Sequence, residues 1–210
     1  MKGAQLTKLS LILVLSAAIL GTGPVPLGAD STGSKLPAAQ AQNPEAKRRE
    51  YFSDQRLVTH DGSEVRFYSD MLKDKVVLIH FFYTNCKTTA ALQAKVLSDL
   101  QQMLGERLGR DIFLVSLTVD PALDTPAKVQ EYAKAFRPRK GWTFLTGKKV
   151  NVDWVNYRLG NYHENPEAHS PLFLLGNLRT GHWIKDIPET KAKSLAEHLA
   201  ALADEKAVRK

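Results

Sequence analysis

An apolar run, Val76–Phe82, ends in polar residues, and the single cysteine of the chain, Cys86, follows shortly after it. Both alternating sides of the run are aliphatic or aromatic except for His80, which is typical of a strand with both faces buried. Beyond Cys86, apolar residues recur at helical spacing, at Leu92, Val96, Leu100, Met103, Leu104 and Leu108. The pattern predicts that Cys86 lies where a buried strand passes into a helix.

A cysteine in that position has two interpretations. The unpaired backbone N–H groups and the positive end of a helix dipole favour a thiolate, and therefore a functional thiol. A buried cysteine is also often no more than a small hydrophobic residue. Because Cys86 is the only cysteine among 210 residues, no intramolecular disulfide forms. Redox chemistry at Cys86 would need a partner thiol, a metal or an oxidant.

The first 29 residues have the layout of a secretory signal. A short basic start ends at Lys8, an apolar stretch covers Leu9 to Gly21, and prolines and small residues follow. Cleavage after Ala29 is our expectation, and the alternative is an uncleaved anchor, since no charge occurs between Lys8 and Asp30. The protein is expected to be exported, either periplasmic or anchored in the membrane and facing the periplasm, with the N-terminal segment providing any membrane association.

The rest of the chain divides into a tether and a folded domain. Residues 30–49 are rich in Ala, Pro, Gln, Ser and Gly, which is typical of a flexible linker, and residues 50–208 carry the folding pattern. The formal net charge is +7, but the Lys and Arg residues are scattered. This distribution favours a solvated basic surface over nucleic-acid binding.

The order of elements predicts an α/β fold with a mixed central sheet and helices on both faces. Thr125 is expected to cap a helix that has Pro126 at its first position. That helix is predicted to run to about residue 136, and two further helices are predicted at 150–159 and from 191 to about 208. The other predicted strands are at 57–59 and 65–68, on either side of a turn, and at 111–120, 142–146, 172–175 and 182–187.

Four stretches, together with this order of elements, resemble the Sco/SenC family, the exported copper-handling proteins of cytochrome oxidase assembly, whose fold is thioredoxin-like. Each stretch is similar to a family motif, in the family's order. They are Phe82–Cys86 (the strand-end Y-T-x-C), Ser116–Pro126 continued by Tyr132–Phe136 ("DP…DTP"), Trp142–Gly147 ("W..LTG") and His169-Ser170. The resemblance implies a thioredoxin-like fold.

The sequence departs from the family at the metal-binding motif. The family's signature is C-x-x-x-C, in which both thiols and a distant histidine bind copper, but the second position here is Ala90. By resemblance, only Cys86 and His169 carry over as copper ligands. One thiolate and one imidazole suit Cu(I) in near-linear coordination, more weakly than two thiolates and an imidazole would.

The remaining candidate ligands are weaker. A third ligand could come from His163, Glu164 or Glu167 in the loop that precedes His169, or from a partner protein. The favoured interpretation of His163 is an exposed loop residue that binds no metal. His80 is interpreted as a satisfied core histidine. His60, His182 and His198 are expected in turns or on the surface.

Three functions remain open. The first is a copper-binding assembly factor with an incomplete site, whose partner is a respiratory oxidase subunit or another copper protein. The second is an enzyme, a one-cysteine thiol peroxidase or thioltransferase with Cys86 as nucleophile, for which Thr84 is available but no nearby Arg. The third is a scaffold or interaction protein that has lost copper binding.

Overall fold

The computed structural model describes residues 43–86, 89–187 and 190–206. The predicted signal and most of the predicted tether lie outside these residues. The described elements are α1 (Pro44–Phe52), β1 (Arg56–Thr59), β2 (Glu64–Arg66), β3 (Val76–Phe82), α2 (Thr89–Leu104), β4 (Ile112–Thr118), α3 (Pro126–Lys134), β5 (Trp142–Thr146), α4 (Lys149–Arg158), β6 (Phe173–Asn177), β7 (His182–Asp186) and α5 (Ala192–Asp204). No helix among the described residues is long and apolar enough to span a bilayer.

One mixed sheet of seven strands, in the order β2-β1-β5-β4-β3-β6-β7, forms the centre of the fold. The neighbours β3, β4 and β5 are parallel, and the outer pairings are antiparallel. The predicted α/β class with a mixed sheet is confirmed. Because β3, β4 and β5 run in the same direction, their carboxyl ends meet at one edge, and Cys86 follows the end of β3 at that edge.

The sheet separates two hydrophobic clusters, and β3 contributes alternately to both. Val76, Leu78 and Phe82 pack on one face with α2, α3 and α5, whereas Val77, Ile79 and Phe81 pack on the other face with α1 and α4. All seven residues of β3 are buried, as the continuous apolar run predicts. This burial fixes the strand that carries Cys86 at its end.

Helix α2 buries only part of the apolar face that its hydrophobic spacing predicts: Leu100 and Leu104 are buried and Val96 packs against the core, but two predicted residues are exposed. Leu92 is 68% exposed and Met103 is also exposed, although both were expected to face inward. Gln93 and Gln101 are buried instead, along with Leu100. The prediction was wrong because it counted only apolar residues, and two glutamines occupy the inner face of this helix.

Each buried glutamine is held by backbone groups of a neighbouring loop. The amide nitrogen of Gln101 donates to the carbonyl of Phe136 at 3.2 Å, and its oxygen accepts from the N–H of Arg139 at 2.9 Å. Gln93 donates to the carbonyl of Pro171. The bonds of Gln101 satisfy both ends of its amide, whereas Gln93 Oε1 has no hydrogen-bond partner among the described residues. Together the bonds connect α2 to the segments after α3 and before β6.

Two boundaries near the N-terminus also differ from the predictions. The second strand of the first hairpin ends at Arg66, before the predicted Tyr68, and residues 67–72 form a π-helical turn. Phe67 and Tyr68 are both buried, which the two-sided alternation of an exposed edge strand does not permit. Helix α1, capped by Asn43, was not predicted, and its first residues fall within the segment that was interpreted as tether.

The orientation of α2 is testable with two leucines that the hydrophobic spacing treats alike. Leu100→Ala should lower the free energy of unfolding by about 2–5 kcal/mol, because it opens a cavity in the core. Leu92→Ala, the matched control, should change it by less than about 0.5 kcal/mol, because that side chain is exposed. Urea unfolding of both variants measures the difference. Equal losses would contradict the orientation of the helix described above.

Candidate functional site

The thiol of Cys86 lies at the carboxyl edge of the sheet, just before α2. Its side chain is 7% exposed and packs in the same cluster as Ala90, and its backbone N–H donates to the carbonyl of Tyr83 at 3.0 Å. The predicted position between strand and helix is therefore confirmed. The low exposure means that the thiol is recessed from the surface.

The turn that carries Cys86 is anchored by the buried carboxylate of Asp124. This carboxylate accepts hydrogen bonds from the Thr84 hydroxyl at 2.6 Å, the Thr84 N–H at 3.2 Å and the Thr118 hydroxyl at 2.5 Å. Burial raises the pKa of Asp124, and the bonds from Thr118 and Thr84 oppose that shift. The anchoring role of Asp124 was not predicted from the sequence. The pattern that could have indicated it is the presence of a polar residue at each strand end, together with an aspartate close by in the chain.

His169 is oriented by the short 3₁₀ turn that precedes it. Its Nδ1 lies 2.7 Å from the carbonyl of Pro166, so Nδ1 carries the hydrogen and Nε2 carries the lone pair. The residue is 9% exposed, and Nε2 is buried without a hydrogen-bond partner among the described residues. Burial lowers the pKa of His169, opposed by the bond to Pro166, and His163 lowers it further. A neutral imidazole with a buried lone pair is ready to bind a metal ion.

The backbone next to His169 is fixed by a buried asparagine. The N–H of Ser170 donates to Asn161 Oδ1 at 2.7 Å, and Asn161 Nδ2 donates to the carbonyl of Ser170 at 3.2 Å. This pair of bonds closes the loop between α4 and β6. It holds His169 in place without using the imidazole.

Tyr83 is the common neighbour of Cys86 and His169. Its ring meets the His169 imidazole edge-on, with 5.7 Å between ring centroids, and its hydroxyl is hydrogen-bonded with the Cys86 side chain. Burial raises the pKa of Tyr83, and the bond to Cys86 raises it further. The two residues singled out by the sequence therefore both contact one phenol, which makes them parts of a single site.

No described residue is placed to act as a third metal ligand beside Cys86 and His169. His163, Glu164 and Glu167 are all exposed, and no group of three His, Cys, Asp or Glu side chains in the described ranges is arranged to hold a metal. Ala90, where the second thiol would lie, is fully buried in the first turn of α2. The site therefore provides one sulfur donor and one nitrogen donor, a set that suits a soft ion in low coordination.

The other histidines occupy positions close to those predicted. His80 is fully buried, as expected, with Nδ1 3.2 Å from the Ser116 hydroxyl, but its Nε2 has no hydrogen-bond partner among the described residues, so it is only half satisfied. Burial, together with a smaller effect of the nearby His169, lowers the pKa of His80 to about 3. His60 is half-buried in its turn, while His182 and His198 pair with Glu205 and Asp186 on the surface.

Comparisons with known proteins agree with this architecture. The family model described as SCO1/SenC matches residues 43–201. The chain is 27% identical over 166 residues to the "SCO2-like protein" of Rickettsia felis, covering 78% of each, and 35% identical over 89 residues to the "SCO1 protein homolog" of Bacillus subtilis, covering 41% of this chain and 44% of that protein.

Solved structures share the fold at lower identity. Bradyrhizobium japonicum ScoI with copper bound superimposes with a TM-score of 0.60 at 22% identity, covering 71% of this chain and 98% of that one. Yeast Sco1 with copper bound gives a TM-score of 0.61 at 21% identity, covering 73% of this chain and 88% of that one. At this identity the likeness supports the thioredoxin-like fold.

Removal of the Asp124 carboxylate should loosen the Cys86 turn. Asp124→Ala leaves buried hydroxyls and an N–H without their acceptor, so it should lower the free energy of unfolding by at least about 2 kcal/mol. The Cys86 thiol should also react faster with a thiol-specific reagent under native conditions. Asp99→Ala, which removes an exposed carboxylate on α2, is the control and should change neither quantity. An unchanged thiol reaction rate in Asp124→Ala would contradict the anchoring role.

His80 should make the fold acid-sensitive. Its pKa is about 3 when folded and 6.5 as the ordinary value, so between these values the unfolded chain binds a proton that the folded chain does not. The stability contributed by neutral His80 is complete above about pH 6.5 and falls by up to about 1.4 kcal/mol per pH unit below it. His80→Leu should flatten this dependence in urea unfolding between about pH 7 and 4.5. Parallel curves for the variant and the parent would contradict the assignment.

Proposed function

The chain belongs to the SCO1/SenC family, and on that premise we propose that it is an exported copper-binding assembly factor for a respiratory oxidase, with an incomplete copper site. The observation that carries the proposal is the buried Nε2 of His169, which has no hydrogen-bond partner among the described residues and lies beside Tyr83, whose hydroxyl is hydrogen-bonded with Cys86. A buried acceptor without a donor is costly, and a bound metal ion would satisfy it.

The donor set fits copper as cargo better than copper as a permanent structural ion. Cu(I) accepts a thiolate and an imidazole in near-linear geometry, and the missing thiol at Ala90 leaves the third position to an incoming ligand. A thiol or imidazole of a partner protein, either an oxidase subunit or another copper protein, would take that position during transfer. The low coordination number then favours release to the partner over retention.

Each residue has a defined part in this proposal. Cys86 supplies the thiolate after losing its proton, so binding should weaken as the pH falls. His169 supplies the Nε2 lone pair, and the carbonyl of Pro166 keeps the other ring nitrogen protonated. Tyr83 covers the pair and keeps water from the thiol.

The location follows from the N-terminal sequence. The basic start and the apolar stretch from Leu9 to Gly21 support export, with residues 1–29 either cleaved as a signal or kept as an anchor. Copper delivery to a respiratory oxidase on the periplasmic side is consistent with either outcome. If residues 1–29 are kept as an anchor, the segment up to the start of α1 would hold the domain near the membrane.

One alternative function has specific support. Ala90 in place of the second thiol, and the lack of a three-donor group in the described residues, are also what a scaffold that has lost copper binding would have. A peroxidase has less support, because the Thr84 hydroxyl donates its one hydrogen to Asp124 and cannot also donate it to a peroxide substrate.

A competition titration with Cu(I) tests the proposal. The purified protein should bind one Cu(I), and Cys86→Ala and His169→Ala should each weaken binding at least about tenfold, which equals about 1.4 kcal/mol. His163→Ala, in the same loop but exposed, should leave the affinity unchanged. Binding that does not differ between the parent and the Cys86 variant would sink the copper proposal and favour the scaffold.

A second variant should increase the affinity. Ala90→Cys restores the C-x-x-x-C spacing in the first turn of α2 and adds a soft donor next to Cys86. The same titration should show tighter binding than in the parent, provided that the protein is kept reduced. A variant that binds no better would mean that position 90 does not face the site.

A further inference from the structure

Helix α4 is apolar on two sides, only one of which faces the core. Val152 and Val155 are buried in the hydrophobic cluster on the face of the sheet that α1 and α4 cover. Val150, Trp154 and Tyr157 are exposed, with Trp154 at 43%. Their spacing of four and three residues places these three on one side of the helix. A surface helix normally presents polar residues to water, so this outer side requires an explanation.

Two more aromatic residues extend the exposed side of α4. Tyr51 at the end of α1 and Tyr162 just after α4 are both exposed. We define the α4 face as the exposed set formed by Tyr51, Val150, Trp154, Tyr157 and Tyr162.

Arg158 organises the α4 face. Its guanidinium lies 5.5 Å from the centre of the Tyr51 ring and 5.8 Å from that of Trp154, and it also donates to the carbonyl of Glu50 at 2.8 Å. The rings of Trp154 and Tyr157 are stacked with 5.5 Å between centroids. These contacts hold the aromatic side chains in a fixed arrangement, so little ordering is needed when something binds to them.

The border of the α4 face is basic. Tyr51 and Tyr157 also line an adjoining groove of about 660 Å³, whose lining contains no acidic residue and includes Lys47, Arg48, Arg158 and Lys185. Lys47, Arg48 and Lys185 form no ion pair with any described residue. On the other side, the charge of Asp153 is balanced by Lys149. The α4 face therefore combines amphipathic aromatics with unbalanced positive charge.

We propose that the α4 face docks on the surface of an anionic lipid bilayer. Trp and Tyr rings are favoured at the depth of lipid headgroups, where the ring is apolar and the indole N–H or the hydroxyl reaches water. Lysine and arginine at the border then pair with lipid phosphates. An acidic protein could use the same aromatic residues and charges, so it is the competing outcome that the experiment below separates from a bilayer.

The path of the chain supports a bilayer as the partner. The described chain enters at residue 43 into α1, which contributes Lys47, Arg48 and Tyr51 to the groove. The apolar stretch that ends at Gly21 lies roughly twenty residues upstream in the sequence. If this stretch is kept as an anchor, a linker of that length with random-coil dimensions would span about 25 Å. A membrane that holds the apolar stretch is therefore within reach of the α4 face.

Docking would also orient the candidate metal site. Asn161, close after the end of α4, is bonded to Ser170 next to His169, so α4 and the His169 loop are joined by a short, fixed connection. A domain lying on α4 would present the His169 loop near the membrane surface. This inference goes beyond copper binding and does not depend on it.

Quenching of tryptophan fluorescence by brominated lipids tests the docking. The full chain is bound to vesicles of brominated phosphatidylcholine with a fraction of phosphatidylglycerol. Trp142 is buried and Trp183 is half-buried, so the Trp154→Phe variant gives the background. Trp154 should be quenched severalfold more in these vesicles than in vesicles without phosphatidylglycerol, and high salt should reverse the difference.

A matched probe separates docking from simple proximity to the membrane. Leu92→Trp in the Trp154→Phe background places an exposed tryptophan on α2, which packs on the opposite face of the sheet. This tryptophan should escape quenching. Lys47→Glu with Arg48→Glu, which leaves the aromatic residues and the core intact, should reduce the quenching of Trp154.

The following results of these experiments would overturn the proposal. If the protein floats with the vesicles but Trp154 is not quenched, or is quenched no more than the tryptophan at position 92, the α4 face does not dock on lipid. Protection of Trp154 by an acidic protein, without quenching by lipid, would also overturn it.

Discussion

The buried residue Asp124 connects the carboxyl ends of three parallel strands through its carboxylate and its main-chain carbonyl. Its carboxylate binds Thr84 after β3 and Thr118 at the end of β4, and its main-chain carbonyl accepts from Thr146 at the end of β5. Burying a carboxylate is costly unless its oxygens are hydrogen-bonded, and here the partners are hydroxyls and an N–H instead of a cation. The turn that presents Cys86 is therefore held by the same bonds that close this edge of the sheet.

The candidate site at this edge of the sheet has two donor side chains and lacks the second thiol of the family's motif. Cys86 and His169 meet across Tyr83, while Ala90 occupies the position of the second thiol. Under the proposed function, these two donors would bind a soft ion and leave room for a ligand from another protein. The loss of the second thiol also explains why a scaffold role is the competing proposal, because each lost donor lowers the affinity for a metal ion.

The sequence was sufficient for those parts of the fold that depend on local pattern. The buried strand Val76–Phe82 and the Thr125 cap were predicted because a continuous apolar run and a capping residue are both visible within a few residues of sequence. The orientation of α2 was not, because Gln93 and Gln101 bond to loops distant in the sequence. Cys86 was predicted from its position, whereas His169 came from family resemblance, since no local pattern brings it to β3.

X-ray absorption at the copper edge of the Cu(I)-loaded protein tests the central claim most directly, because it reports the atoms bound to the metal. The account predicts one sulfur and one imidazole nitrogen in a two-coordinate environment, with the imidazole contribution lost in His169→Ala. Copper that leaves the protein on gel filtration, or an environment of oxygen and nitrogen atoms without sulfur, would contradict a site formed by Cys86 and His169.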